Sequence, residues 1–318
     1  MALEAAAPSG DVGRAKTTRI VSSHVSVGAR ALEIWRSRQL LLNLVRTEIR
    51  IKYKNSVLGV VWSLLSPAMA LLVYTLVFSV ALKNGIPEFV ILLFSGLLAW
   101  NLFQTSVLSA TGVIVNNAGL VKKVSFPREI LALASVGSAS VFFFFQSCVM
   151  VLFLVVLHWR PAFGDLWLLV VALVPLLCFA AAMSIFLAAV NVFLRDTQHL
   201  VEVVVGAAWF WGCPIVYSFQ QKVYPALKDH HLLWLYFLNP LTPIVLTFQR
   251  VLWARTGIVQ LTTKVPKGAH PLMAQLLPGW GSMTYVEMDL IVLGVSIVLL
   301  YLAMLVFGRL AGNFAEEL

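Results

Sequence analysis

A chain of 318 residues that is 60% hydrophobic and only 12% charged carries about half the charge of a soluble domain. That balance excludes a single water-soluble core and makes lipid the main solvent. The formal charge of +9 does not point to nucleic acid, because the basic residues concentrate before the first apolar run, where anionic lipid headgroups are the nearest partner.

The chain opens on residues 1–28, which are Ala, Ser, Gly and Thr with scattered charge and no periodicity. They read as a disordered cytosolic tail without a signal peptide. From about 29 to 56, Arg36, Gln39, Asn43, Arg46 and Arg50 recur at helical spacing, opposite Ile34, Leu41, Leu42, Val45 and Ile49. The pattern predicts an amphipathic interface helix lying in the headgroup plane, or packed on a partner. Between Val57 and Leu82 there is no Asp, Glu, Lys, Arg or His, a run longer than the ~20 residues that cross a bilayer. Arg50, Lys52 and Lys54 just before it hold that end in the cytosol.

Further apolar runs at about 89–115, 130–157, 166–194, 200–219 and 290–307 bring the expected crossings to six. The loop 116–129 between the second and third is short and basic; the loop 158–165 after the third falls outside. Leu232 to Phe248 is apolar but holds Asn239-Pro240 and Pro243, which interrupt a helix. A re-entrant helical hairpin between helices five and six, within an outer gate region at about 220–287, fits better than a full crossing. The expected fold is therefore an all-α integral membrane domain over 57–318. Fifteen of the 23 Lys and Arg residues fall on the inner side of this plan, and the short outer loops hold only Lys83 and Arg160. Six crossings put both termini in the cytoplasm.

The chain has no G-x-x-x-x-G-K-[ST] phosphate loop, no H-E-x-x-H, no Cys/His cluster and no nucleophile elbow, so no catalytic residue and no metal ligand is assigned. Cys148, Cys178 and Cys213 lie in apolar runs and offer no disulfide framework. None of the six runs carries an ionisable residue near its middle, where ion-coupled carriers need one. Energy is therefore expected from another protein. Two aromatic stripes could line a sugar conduit: Ser63, Ser66, Tyr74 and Phe78 in the first span, and Phe210 and Tyr217 with Trp209 in the fifth. The same aromatics could equally be interfacial belts or helix packing. Arg46, Arg50, Lys52 and Lys54 serve as topology markers, attract anionic headgroups, or receive a lipid diphosphate.

Several motifs together carry a family resemblance: R-x-K-Y-K-x-S-V-L-G-x-x-W at Arg50 to Trp62, Lys122-Lys123 with Phe126-Pro127-Arg128, Phe193-Leu194-Arg195-Asp196, and Asn239-Pro240-Leu241-Thr242-Pro243. In this order they resemble the ABC-2-type permeases, and within them the exporters of O-antigen, capsule, teichoic acid and galactan. The resemblance implies a homodimer in the bacterial inner membrane with two separate ATPase subunits, which hold the ATP and Mg, while this chain needs no cofactor. It implies that Lys122, Lys123, Arg128, Arg195 and Asp196 couple to the ATPase, and that the cargo is a polyprenyl-diphosphate-linked glycan. A drug or lipid efflux permease is the alternative within the superfamily. A membrane glycosyltransferase fits less well, because Asp165, Asp196, Asp229 and Asp289 are scattered over different loops.

Overall fold

The structure, a computed structural model, describes residues 27–54, 56, 59, 61–81, 89–228, 231–253, 260–262, 273–275 and 277–318. Most of the expected tail and the outer turn at 83–88 lie outside these residues. So does most of the outer segment at 254–276.

Two helices, α1 (Val27–Arg36) and α2 (Arg38–Lys52), form the expected amphipathic element. Its polar face behaves as the periodicity predicts: Arg36, Gln39, Asn43, Arg46 and Arg50 are exposed, and Ile34, Leu41, Val45 and Ile49 are half-buried. Leu42, counted with the apolar face, is 52% exposed. The element does not stay at one level. Val45 meets Gly137, Glu48 meets Ser135 and Ser138, and Lys52 sits over Phe142. These partners climb one helix from Ser135 to Phe142, roughly 10 Å at 1.5 Å per residue. Helix α2 is therefore inclined along that helix rather than crossing it at one point.

Five helices are long and apolar enough to cross a membrane among the described residues. The first is α3 (Val61–Tyr74), which continues as a π-helical stretch, Thr75–Ala81. The second, α4 (Phe89–Thr111), runs through the centre and is buried along most of its length. Its polar hydroxyls need no outside partner, since Ser95, Ser106 and Thr111 donate to carbonyls three or four residues earlier. The inner loop then holds α5 (Val113–Asn116) and α6 (Ala118–Lys123). Next come α7 (Glu129–Val156) and α8 (Trp167–Phe193).

The fifth expected span is broken. Helix α9 (Thr197–Val203) passes through a π-helical stretch, Val204–Ala208, into α10 (Trp209–Trp211). This continuous coil of 15 residues rises only about 22 Å, less than a ~30 Å hydrocarbon core. Beyond it lie α11 (Tyr224–Lys228), α12 (Leu233–Phe237) and α13 (Leu241–Leu252). Pro240 and Pro243 stand at the start of α13, where a missing N–H is harmless, so the break falls at Leu238-Asn239. Every residue of α13 is buried, mainly against α4 and α8. A two-stranded ribbon pairs β1 (Gln260–Thr262) with β2 (Met273–Gln275).

The last span, α14 (Ser282–Leu310), begins eight residues earlier than the apolar run at 290–307. Glu287 and Asp289 disguise its start, and Asp289 is 0% exposed, its Oδ2 accepting a hydrogen bond from the Thr247 hydroxyl at 3.0 Å. The chain ends in α15 (Phe314–Glu317). One apolar core joins α4, α7, α8 and α13; a second, smaller one at the inner end gathers Ile114, Val121, Leu131, Val192, Phe307 and Phe314.

Candidate functional site

The expected conduit residues of the first span divide. The bundle-facing side of α3 is Ser63, Pro67 and Leu71, at helical spacing. The Ser63 hydroxyl pairs with that of Tyr53, which ties the end of α2 to the start of α3. Tyr74 and Phe78 continue that side, half-buried, with Phe78 4.9 Å from the Phe89 ring. Ser66 is on the other side, exposed beside Trp62, Met69 and Val73, which are each about half exposed.

In the fifth run, the rings of Trp209 and Phe210 turn toward their own bundle. Trp209 meets Phe103 at 5.2 Å, and Phe210 meets Trp100 at 5.5 Å. Asn239 organises the outer end. Its Oδ1 accepts from Trp209 Nε1 at 3.0 Å and from the Leu241 N–H at 3.1 Å, while its Nδ2 donates to the Gly212 carbonyl at 3.2 Å. One side chain thereby joins the end of α10 to the start of α13. Tyr217 donates to the Trp211 carbonyl at 2.8 Å, and its hydroxyl lies 3.1 Å from that of Tyr236.

These groups border a hollow of about 330 Å³ lined by Trp209, Gly212, Leu227, Leu232, Leu235, Tyr236 and Asn239. Around it Trp211, Trp234 and Leu238 are each more than 60% exposed. Trp211 stands beside the stripe of the fifth run, and Trp234 lies within an apolar run that hides it. The signal that could have found them is an aromatic residue beside a break at Gly212 or Asn239.

Arg46, Arg50, Lys52 and Lys54 are all exposed. Lys52 Nζ stands 3.7 Å from the centre of the Phe142 ring, and its partial burial lowers the ammonium's pKa. Glu48 reaches Ser138 at 2.6 Å and Ser135 at 3.4 Å, and burial raises its carboxyl above the usual range. The four cations thus lie along a slope beside α7, with Lys52 the one held over an apolar ring.

Of the expected coupling residues, Lys122, Lys123, Arg195 and Asp196 are exposed, whereas Arg128 is half-buried. The turn at 195–198 and the inner loop are brought together at Gly112. A Cβ there would stand 3.0 Å from the Gln198 side chain and 3.1 Å from that of Asn116. A cavity of about 650 Å³ opens between the inner loop, α1 and the end of α14. Arg30, Lys122, Lys123, Arg128 and Arg309 line it against Glu33 and Glu129, so its walls are net basic. Among the described residues no group of three or more His, Cys, Asp or Glu could hold a metal ion.

Residues 39–253 match the family ABC-2 type transporter. The chain is 30% identical over 286 residues to an O-antigen export system permease protein RfbA of Myxococcus xanthus, covering 90% of this chain and 98% of that one. It is 26% identical over 212 residues to an O-antigen export system permease protein RfbA of Klebsiella pneumoniae, covering 67% of this chain and 79% of that one. A match that runs from α2 through α13, on a bundle of membrane-long helices, means that the chain belongs to the ABC-2 type transporter family.

Proposed function

We propose that the chain is the membrane permease subunit of an ATP-driven exporter, and that it moves a polyprenyl-diphosphate-linked polysaccharide out of the cytosol across the inner membrane. The observation that carries this reading is the likeness to O-antigen export permeases over nine-tenths of the chain. In this reading two copies pair. Exposed apolar side chains of α3 and of α10–α12, with Ser66, Trp211 and Trp234, face the partner or the conduit. The coil from α9 to α10 serves as a sixth crossing, completed by the turn at Gly212, and α12 with α13 forms a re-entrant gate on the outer side. Both termini stay in the cytoplasm. The basic slope of Arg46, Arg50, Lys52 and Lys54 receives the diphosphate, since all four stand at exposed positions. Lys122, Lys123, Arg128, Arg195 and Asp196 form the surface on which a separate ATPase subunit acts through ATP and Mg.

Reconstitution tests the reading. The chain, paired with an ATPase encoded beside it, should carry a lipid-linked glycan into liposomes only when ATP is hydrolysed. Export by the chain alone would sink it, and so would ATP turnover by the pure chain. Replacing Arg50 and Lys52 together with Ala should stop export while leaving the ATPase bound; undiminished export would remove the diphosphate assignment alone.

A further inference from the structure

We infer that Arg128 and Glu129, the last residues of the inner loop, are positioning residues that carry that loop's movement to α1 and to the chain's last turn. The inference rests on the proposed reading as an ATP-driven permease. Glu129, 4% exposed, opens α7, and its carboxylate accepts a hydrogen bond from Arg30 Nη1 at 2.9 Å. Arg30 belongs to α1 and reaches Glu129 by crossing the end of α14. It can cross because Gly308 has no side chain: a Cβ there would stand 2.7 Å from the guanidinium carbon. On the other side, Arg128 donates to the Ala311 carbonyl and stacks 5.7 Å from the Phe314 ring. Phe314 is fully buried between Phe307 at 5.3 Å and Phe193 at 6.0 Å.

Two adjacent residues therefore grip α1 and the chain's last turn. The loop's two lysines are open to receive a push, since Lys122 and Lys123 are exposed at the 650 Å³ cavity while the adjoining Val121 is anchored in the smaller core. A displacement at those lysines reaches Glu129, pulls Arg30, and passes along α1 and α2 to the Tyr53–Ser63 contact, where α3 begins. Buried, bonded groups with discrete arrangements can carry such coupling; groups solvated on every side cannot.

The test uses the permease–ATPase complex in liposomes and reads ATP hydrolysed per glycan exported. Arg30→Ala with Glu129→Ala leaves no stranded charge, and it should raise that ratio about tenfold while the complex stays assembled. The exchange Arg30→Glu with Glu129→Arg should bring the ratio back toward the parent value. An unchanged ratio in an assembled Ala pair would overturn the inference, as would a loss of export that tracks loss of assembly alone. A second measurement covers poor folding of these variants. Spin labels at Lys123→Cys and Trp35→Cys in the otherwise intact complex should shift together on ATP binding; movement of the first without the second would also overturn it. A parent complex that exports no glycan but whose labels move in concert would sink the proposed cargo and leave the relay standing.

Discussion

Arg250 shows how a single side chain fastens the outer end. It is buried on α13, donates to Asp165 at 3.0 Å and to the Trp280 carbonyl at 3.3 Å, and stacks 5.0 Å from the Tyr285 ring. Ser282, at the start of α14, also donates to Asp165 at 2.8 Å. Arg250→Met should lower stability by about 2–3 kcal/mol, less than the loss for a fully buried pair because Asp165 keeps some solvent. Thermal unfolding in detergent measures it, and Asp165→Asn should lose less. Glu48 makes a second residue-scale prediction. Its folded pKa lies above the ordinary value of 4.5 because burial favours the neutral form. The folded state therefore binds more protons, and stability falls as pH rises from about 4.5 through the raised value. Glu48→Gln should remove that slope and make α2 harder to detach at neutral pH, as read from hydrogen exchange of its amides. No role for Glu48 was legible beforehand, because a lone carboxylate among arginines looks like a surface neighbour until Ser135 and Ser138 close on it.

Elements differ in how openly they announced themselves. The runs that became α3, α4, α7 and α8 were legible because long uncharged stretches leave little alternative in lipid, and their ends fell within a few residues of the expected ones except at the inner ends of α3 and α4. The start of α14 was not legible: Glu287 and Asp289 read as loop residues, and only Thr247 on a distant helix lets Asp289 sit inside. The fifth run is coiled only as far as Gly212, and hydropathy, which counts residues, carries no sign of the turn there. The slope of α2 was equally hidden, since amphipathicity gives a face but no angle. Gly137 is where that angle is set. A Cβ on it would stand 2.7 Å from Val45 Cγ2, and a β-branched side chain has little freedom to give way. Gly137→Ala should cost about 1–3 kcal/mol and expose α2 to protease, while a change at the open Gly119 should do neither.

For the whole molecule, the distribution of exposed apolar surface predicts assembly. Trp62, Met69 and Val73 around Ser66, together with Trp211, Trp234 and Leu238, leave much apolar area uncovered beside polar and aromatic groups. A cysteine placed at Ser66 should cross-link between two copies in membranes treated with a short oxidising reagent, whereas the native Cys148, exposed on α7, should not if α7 faces lipid. Gel mobility under non-reducing conditions reads the result. The motifs carrying the resemblance foretold the family, because their order survives even where each is weak. The gripping of α1 and the last turn by Arg128 and Glu129 was beyond their reach, since Arg30 and Ala311 stand far from them in the chain.

The loosened coils at Thr75–Ala81 and Val204–Ala208 have one more consequence. Each closes its hydrogen bonds one residue later than an ordinary turn. Tightening such a turn by one residue would swivel everything beyond it by about 100° without tilting the column as a whole. The rings on or past each coil, Phe78 within the first and Trp209 to Trp211 after the second, could then be dialled round in place. A long polymer could be handed forward that way while the buried α13 behind it never stirs.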